Sequence, residues 1–414
     1  MVKIPRGTPL LDKISRKCRN WPKGTYLVCA LHVRDDLIPF LKKFEGIPPG
    51  NIFVTGPYYG WEDSTAEVLR SRGINMFKPN APGERAVTDC ARIIFQEIEK
   101  AMPKPDGSFI IIEDGGYFVP LLHYEEFQGL IDYCKGAVEQ TTQGITRDTN
   151  IQGGLKIPVV SIPSSRVKSN IEPKFVARAV YRNLEVILYQ ANHMMDSFKY
   201  GIIGIGTIGL EIVEEFHKQG IDLIACDTDP ERLSAVRRIN NNSKVGNNKS
   251  KDVEITGDSI EVCSNCDVAI GATGRDDQFT IGRDQIDAGK NGIMLASASS
   301  KQIEIDINYI RNMSKLVNTI YDPKGVIKYI ETYKRDDDHR DIHLIGEGQP
   351  LNFLATFSVP MPVIETVYAL MLACSHMLVN VKLREGFLKF DKPENKKIDL
   401  EIIKLWKKYN FGTP

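Results

Sequence analysis

The chain has 414 residues, and its 53 basic side chains balance its 53 acidic ones. At roughly 100–200 residues per domain, this length predicts two or three domains. The zero net charge argues against a nucleic-acid partner, because nucleic-acid-binding proteins usually carry an excess of Lys and Arg. We find neither a run of about 18 apolar residues nor a signal peptide, so we expect a soluble cytoplasmic protein with no membrane partner. The eight cysteines are too sparse for a disulfide scaffold.

Strands and helices alternate along most of the chain. Short apolar runs predict buried parallel strands at Tyr26–Ala30, Phe109–Ile112, Val159–Ile162, Tyr200–Ile205, Leu223–Cys226, Val268–Ile270 and Ile293–Ala296. Amphipathic segments lie between these runs; in residues 88–102, for example, Ile93, Ile94, Ile98 and Met102 recur at helical spacing. The alternation predicts an α/β protein, with two separate sheets.

The strongest local motif is Gly204-x-Gly206-x-x-Gly209, which follows one predicted strand and begins a helix. Glycines at this spacing permit a tight turn, a close backbone approach to a pyrophosphate, and close packing of the helix on the strand. The next strand ends at Asp227, where a carboxylate would bind ribose hydroxyls and repel a 2′-phosphate. The motif therefore predicts a Rossmann domain that binds NAD rather than NADP. An empty Rossmann-like domain with the same glycine turn is the alternative.

Further short motifs follow one another along the chain. They are Ala30-Leu31-His32, Asn51-Ile52-Phe53 with Thr55, Glu113-Asp114-Gly115-Gly116, Gly136–Gly144 (GAVEQTTQG), Val167-Lys168-Ser169, Arg178, Gly271–Gly274 (GATG), Glu304-Ile305-Asp306, and Glu347-Gly348 with Leu351-Asn352. Their order and spacing resemble those of the S-adenosylhomocysteine hydrolase (adenosylhomocysteinase) family over roughly residues 25–375. This family is NAD-dependent, which agrees with the glycine motif.

The resemblance implies an α/β fold with a Rossmann NAD-binding domain inserted into a larger α/β substrate domain. Mapped here, the substrate domain takes residues 1–186 and returns at 350–385, the NAD-binding domain takes 187–349, and a C-terminal tail takes 386–414. The family implies a homodimer or homotetramer whose tail completes a neighbour's cofactor site. The ending Phe411-Gly412-Thr413-Pro414 lacks the family's Lys and Tyr, so this exchange stays open.

The family oxidises a ribose 3′-hydroxyl with bound NAD, and the ketone then permits elimination or addition at the 5′ position. The resemblance implies that Asp114 and Lys168 are catalytic. It implies substrate-binding roles for His32, Asp36, Gln140, Thr141 and Glu172. It implies cofactor-binding roles for Gly204, Gly206, Thr207, Ile208, Gly209, Asp227, Thr142, Thr273 and Asn352. The alternatives are ordinary ones: a turn cap for Asp114, a surface lysine for Lys168, helix caps for the threonines and a strand-end histidine for His32.

The departures from the family pattern concern the 5′ side and the base. Gln140 stands where the family has a second glutamate, and Glu172-Pro173 replaces an Asp-Asn pair. Ser300 and Val359 stand where the family has its catalytic histidines, and Arg34 replaces a threonine on the adenine side. The chain therefore resembles a divergent member that lacks those histidines.

Three functions remain open. The first is an NAD-dependent enzyme that oxidises a nucleoside or related sugar transiently, with altered, lyase-like or dehydratase-like 5′ chemistry. The second is an inactive homologue that binds NAD and a nucleoside and acts as a regulator or partner. The third is a true hydrolase with replaced proton-transfer groups. We expect no metal site, because the Cys263–Cys266 pair has no second pair at zinc spacing.

One loop has an unusual composition. Tyr58, Tyr59 and Trp61 cluster there and are candidates to shape the substrate entrance, although a simply packed loop is an equal alternative. Glu62 and Asp63 are candidates to replace the lost carboxylates.

Overall fold

The computed structural model describes residues 7–103, 105–245, 251–275, 277–299, 302–356, 358–391 and 393–411. The chain forms two compact units, the first made of Met1–Glu172 and Pro360–Pro414 and the second of Pro173–Val359. The sequence placed these junctions at residues 186/187 and 349/350. The helix Glu172–Gln190 belongs to the second unit except for its first residue, because Val180, Leu184 and Ile187 enter that unit's core.

The strands in the described residues are β1 Thr25–Ala30, β2 Ile52–Thr55, β3 Asn75–Met76, β4 Ser108–Glu113, β5 Cys134–Glu139, β6 Pro158–Ser161, β7 Lys199–Ile203, β8 Asp222–Cys226, β9 Glu254–Thr256, β10 Val268–Gly271, β11 Ile293–Ser297, β12 Ser314–Tyr321, β13 Lys328–Arg335, β14 Asp341–Ile345 and β15 Gly386–Leu388. All seven predicted strands are present, with ends that differ by up to two residues.

The helices in the same residues are α1 Pro9–Ser15, α2 Leu37–Leu41, α3 Asp63–Ser71, α4 Glu84–Ala101, α5 Phe118–Leu122, α6 Thr142–Thr149, α7 Arg166–Asn170, α8 Glu172–Gln190, α9 Thr207–Lys218, α10 Pro230–Val245, α11 Ser259–Asn265, α12 Arg283–Ala288, α13 Ile307–Met313, α14 Met361–Asn380 and α15 Pro393–Phe411. Short 3₁₀ segments occur at Pro49–Asn51, Tyr58–Gly60, Glu125–Tyr133, Ile162–Ser164, Met195–Ser197, Gly346–Gly348 and Leu351–Phe353.

The first unit is built on a parallel sheet with the strand order β15-β6-β5-β4-β1-β2-β3. Four neighbouring strands end level with one another, since Ala30 pairs with Glu113, Glu113 with Glu139, and Glu139 with Ser161. Ligand crevices in α/β sheets form outside the carboxyl ends of the strands. The loops that follow β1, β4, β5 and β6 are therefore the place to look for a site.

The second unit contains a mixed sheet with the order β12-β13-β14-β11-β10-β7-β8-β9. The strands from β14 to β9 are parallel, and β12, β13 and β14 pair antiparallel. The predicted α/β class and its two sheets are confirmed. The order β10-β7-β8 places the glycine motif after the middle one of these three strands, as in a Rossmann domain.

The predicted amphipathic helix is α4, and its apolar face was assigned correctly except at one position. Ile94, Ile98 and the following Met102 are buried, whereas Ile93 is 46% exposed. The prediction for Ile93 is wrong because Phe95 and Ala91 complete the buried stripe instead.

Two helices from the end of the chain belong to the first unit. Among the described residues, α14 is long and apolar enough to cross a membrane by length and composition, although 72% of its most apolar window is buried in the fold. A helix of this length and apolar composition was not predicted from the sequence. Helix α15 places Ile402 and Asp399 in the interior of the first unit. Residues 412–414, which the proposed tail exchange concerns, lie outside the described residues.

Candidate functional site

The carboxyl edge of the first sheet brings together three predicted site residues. Asp114 follows β4, and its Oδ2 accepts a hydrogen bond from Gln140 Nε2 at 3.0 Å. His32 Nε2 lies 3.6 Å from the same oxygen. The loop backbone continues the register of the sheet, because the Asp114 N–H donates to Ala30 O and the Gln140 N–H donates to Glu113 O. The level strand ends thus place a carboxylate, an amide and an imidazole within contact distance.

His32 is neutral at this edge. Burial, together with the charges of Arg34 and Lys168, lowers the pKa of His32 to about 3. Its contact with Asp114 is therefore not an ion pair. The edge of the Tyr59 ring faces the imidazole at 5.2 Å between centroids, and a Cβ at Gly60 would lie 2.0 Å from His32 Nδ1. The aromatic loop thus packs directly against the histidine.

The other residues of this loop do not all reach the site. Glu62 Oε1 lies 3.7 Å from Arg34 NH1, so this carboxylate belongs to the histidine's surroundings. Asp63 instead pairs with Lys78 on the surface, at 2.7 Å. Tyr58 is 43% exposed.

Lys168 lies on the short helix α7 and forms an ion pair with Glu172, one helical turn further along the chain. Both side chains are largely buried. Glu172, which the resemblance implied as a substrate ligand, holds the ammonium group of the predicted catalytic lysine. Lys168 acts on the pKa of His32 through its charge, so it belongs to the same electrostatic environment.

Asp36 has a partner that the sequence did not suggest. The Tyr368 hydroxyl donates to Asp36 Oδ2 at 2.9 Å, and the Tyr368 ring stacks on Phe40 at 4.4 Å. Burial raises the pKa of Asp36 and, together with the neighbouring Asp36 carboxylate, raises the pKa of Tyr368 well above its usual value. Asp36, for which the resemblance implied a substrate-binding role, is thus already hydrogen-bonded to a side chain of the same unit.

The two predicted threonines lie at the start of α6. Thr141 is the N-cap: its hydroxyl accepts from the Gly144 N–H at 3.0 Å and donates to Glu139 Oε1 at 2.6 Å. Its one proton is therefore committed to a buried glutamate. Thr142 is the exposed first residue of the helix and lies in the first unit, whereas the glycine motif lies in the second.

Two fully buried glutamates fix the loops that carry Asp114 and Gln140. Glu113 accepts N–H bonds from three residues in a row: Tyr117, Phe118 and Val119. Glu139 accepts four bonds from both loops: the N–H groups of Gly115, Gly116 and Thr141 and the Thr141 hydroxyl. Burial raises the pKa of Glu113 and raises that of Glu139 well above its usual value, whereas the hydrogen bonds from the loops act in the opposite direction. Both glutamates stand in the short motifs given above, but the sequence alone predicted no role for them.

A third carboxylate, Asp148, lies beside these glutamates and is only 1% exposed. Within the described chain neither of its oxygens has a hydrogen-bond partner. Burial raises the pKa of Asp148 to about 10, with the charges of Glu113 and Glu139 as further causes.

These three groups are near enough to share a cation, with ligand oxygens within 4.8 Å of one another. However, the hydrogen bonds described above already occupy most of the glutamate oxygens. In Glu113 and in Glu139, one carboxylate oxygen accepts two or more hydrogen bonds, and only the other, which accepts a single one, is left to bind a cation. A hard cation such as Ca²⁺ or Mg²⁺ takes at least six ligands. A proton on Asp148 needs only one acceptor, so it fits the site better.

The glycine turn lies in the second unit, and each of its three glycines has the surroundings that the motif predicts. Gly204 has φ +102° and accommodates the turn, and a Cβ at Gly209 would lie 1.8 Å from Gly204 O. A Cβ at Gly206 would meet nothing within 4 Å, so open space lies above the first turn of α9, which begins with Thr207 and Ile208. A cradle that is open only above the middle glycine fits a pyrophosphate.

Asp227 follows β8 and closes the same turn. Its Oδ2 accepts from the Ile205 N–H at 2.7 Å, its Oδ1 accepts from the Asp229 N–H at 2.9 Å, and Arg232 NH1 lies 3.3 Å away. The carboxylate is thus held beside the glycines, where it fits the ribose of NAD. Arg232 was not noticed in the sequence.

The remaining cofactor residues of the second unit also have defined partners. The Thr273 hydroxyl contacts the buried Glu304 at 3.0 Å, and Glu304 also accepts the Gly274 N–H at 2.7 Å. Asn352 Nδ2 donates to Ser358 Oγ at 2.6 Å. Ser300 lies outside the described residues.

The Cys263–Cys266 pair is buried in the core of the second unit. Burial raises the pKa of Cys266 to about 12 and raises that of Cys263. These thiols pack as apolar groups.

Comparison with known proteins extends these findings. The adenosylhomocysteinase of Thermotoga maritima is 23% identical over 384 residues, which are 91% of this chain and 86% of that protein. The S-inosyl-L-homocysteine hydrolase of Methanopyrus kandleri is 24% identical over 78% of this chain and 68% of that protein. For the adenosylhomocysteinase of Acinetobacter baylyi, 23% identical, the match spans 77% of this chain but only 64% of the relative's length. No family model matches the chain.

Fold and site together define an NAD-binding α/β protein, whose first unit is built on a parallel sheet and whose second is a Rossmann unit. Its cofactor is NAD. The chain is similar to the adenosylhomocysteinases, at 22–25% identity over most of its length.

Proposed function

We propose that this chain is an NAD-dependent enzyme that oxidises the 3′-hydroxyl of a nucleoside or related sugar transiently, with 5′ chemistry of a lyase or dehydratase type. The first unit binds the sugar and the second binds NAD. The observation that carries the proposal is the cluster of Asp114, Gln140 and His32 at the carboxyl edge of the first sheet, with Lys168 in its electrostatic environment. The protein acts in the cytoplasm as a homodimer or homotetramer, as the family resemblance implies.

In this proposal, the residues of the first unit have different roles at the 3′-hydroxyl of the sugar. When bound, NAD supplies the hydride acceptor that such an oxidation requires. Asp114 is placed to take the proton of the sugar hydroxyl, and the Gln140 amide donates to Asp114 Oδ2 and so orients the carboxylate. Lys168 supplies a positive charge that stabilises the developing alkoxide, and Glu172 holds its ammonium group.

Altered 5′ chemistry is supported by the side chains that stand at the diverged positions. Gln140 donates a hydrogen bond but cannot transfer a proton, and Val359 has no titratable group. The named relatives act on adenosyl and inosyl compounds, so the base of the substrate varies within the family. Asp36 is already bound by Tyr368, which supports a base other than adenine.

A second candidate is a regulator that binds NAD and a nucleoside without turnover. The Lys168–Glu172 ion pair favours it, because a lysine held as an ammonium ion is a weak proton acceptor. A true hydrolase with replaced proton-transfer groups is the third candidate.

The test incubates NAD-loaded protein with adenosine, inosine and their homocysteine conjugates while the absorbance of the reduced cofactor is followed. The proposal expects reduction by at least one nucleoside, and loss of that signal in Asp114→Asn and Lys168→Ala. Asp63→Asn is the matched control, because this exposed carboxylate pairs with Lys78 away from the site. No reduction across the panel, with NAD and nucleoside both bound, would establish the regulator instead. Homocysteine release at a rate matching cofactor turnover would establish the hydrolase.

A further inference from the structure

The helix that carries Lys168 is held by a residue from the far end of the chain. Asp399, on α15, accepts the Arg166 N–H at 2.8 Å through Oδ2 and the Val167 N–H at 3.1 Å through Oδ1. Its carboxylate is 1% exposed, and 232 positions separate it from Val167. The N–H of Lys168 itself is accepted by Ser165 Oγ at 3.1 Å. The first three N–H groups of the helix are therefore bound by two side chains.

Helix α7 needs these partners because it has only five residues. A helix of this length is unstable by itself, since nucleation costs more than one turn of hydrogen bonds returns. Its leading N–H groups have no acceptor inside the helix. A buried carboxylate on two of them neutralises the positive end of the helix and fixes the direction of its axis.

The segment that supplies Asp399 is itself firmly built into the first unit. Strand β15 pairs in parallel with β6, and the Phe390 N–H donates to Ser164 Oγ at 3.0 Å, two residues before the helix. Ile402, one turn beyond Asp399, is completely buried. The end of the chain and the Lys168 helix thus form one packed assembly, in which Asp399 supplies a charged contact.

We propose that Asp399 is a positioning residue that sets the orientation of Lys168 by fixing the start of helix α7. This inference rests on the role that the proposed function gives to Lys168. It adds a charged residue from the C-terminal helix to the residues on which turnover depends.

A double-mutant cycle tests whether Asp399 acts through Lys168. Nucleoside-dependent cofactor reduction is measured in NAD-loaded wild type, Asp399→Ala, Lys168→Arg and the double variant, because Lys168→Arg keeps the positive charge and a measurable rate, whereas Lys168→Ala abolishes the signal. We expect Asp399→Ala to slow reduction at least about tenfold, as for loss of hydrogen bonds to a charged group. In the Lys168→Arg background, where the ammonium group is no longer there to be oriented, Asp399→Ala should cause a much smaller further loss. Independent, multiplying losses would overturn the proposal.

Two further variants separate positioning from general damage. Asp399→Asn keeps one acceptor oxygen without the charge, so it should recover part of the rate; it also carries the test if Asp399→Ala does not fold. Glu401→Ala removes a carboxylate from the same helix, where it pairs with Lys17 on the surface, and should leave the rate unchanged. Equal losses in Asp399→Asn and Glu401→Ala would contradict the proposal.

Hydrogen–deuterium exchange keeps the inference testable if the proposed function fails. The amides of Arg166 and Val167 should exchange faster in Asp399→Ala and stay unchanged in Glu401→Ala. If wild type reduces no cofactor with any nucleoside, the proposed function fails while exchange still decides whether Asp399 holds the helix. Unchanged exchange in Asp399→Ala would overturn the positioning role by itself.

Discussion

Replacing Asp148 by Asn should stabilise the first unit at neutral and alkaline pH. The wild-type side chain is buried beside Glu113 and Glu139, and burial raises the pKa of Asp148 to about 10. An unfolded aspartate titrates near pH 4. Because the folded pKa is the higher one, the bound proton stabilises the fold fully below about pH 4 and loses this effect as the pH rises toward 10. An asparagine carries its donors at every pH and can bond both glutamates.

The size of the effect follows from proton linkage. Between these two pKa values the native state holds about one proton more than the unfolded state, so each pH unit costs about 1.4 kcal/mol. From about pH 6 to about pH 8 the variant should therefore gain about 3 kcal/mol relative to wild type. For a unit of this size, a change of 1 kcal/mol moves the melting temperature by roughly 2–4 °C, so the gap should widen by about 6–12 °C.

Calorimetry across this pH range measures the difference directly. Asp63→Asn is the control, since the hydrogen bond from Lys78 lowers the pKa of this exposed carboxylate, so that its effect is confined to acidic pH. Parallel pH profiles for wild type and Asp148→Asn would refute the bound proton. A melting temperature that rises with Ca²⁺ or Mg²⁺ in wild type and not in the variant would show that the three carboxylates bind a cation instead.

Two further predictions concern the second unit. Gly209→Ala should lower the melting temperature, because its Cβ would lie 1.8 Å from Gly204 O. Gly206→Ala should leave the melting temperature unchanged and weaken NAD binding, as measured by calorimetric titration. Equal melting temperatures for the two variants would contradict these different roles. Asp227→Ser should weaken NAD binding and improve NADP binding by tenfold or so, because Arg232 NH1 loses its contact with Asp227, keeps only the Nε contact with Asp229, and becomes available to a 2′-phosphate. Unchanged affinities for both cofactors would show that Asp227 does not face the ribose.

The features predicted from the sequence are those with short-range patterns. The strands appeared as apolar runs, and the glycine turn and Asp227 lie within one strand–helix–strand unit. The placement of Asp114 and Gln140 could be expected because parallel strands end at the same edge of a sheet.

The missed features depend on distant parts of the chain. Tyr368 and Asp36 are 332 residues apart in the sequence, and Asp399 and Arg166 are 233 residues apart. No local sequence pattern indicates either contact. Asp148 left a weaker signal, since it lies four residues after Gly144 on the buried face of α6. Its helical spacing could have marked it as buried, although only the structure shows the glutamates beside it.

The most direct test of the central claim is the absorbance of reduced cofactor when NAD-loaded protein meets a nucleoside. The account predicts that a nucleoside reduces the bound NAD, and that Lys168→Ala abolishes this signal while leaving NAD bound. A panel of nucleosides that bind without reducing the cofactor, or a signal that survives Lys168→Ala at full strength, would contradict it.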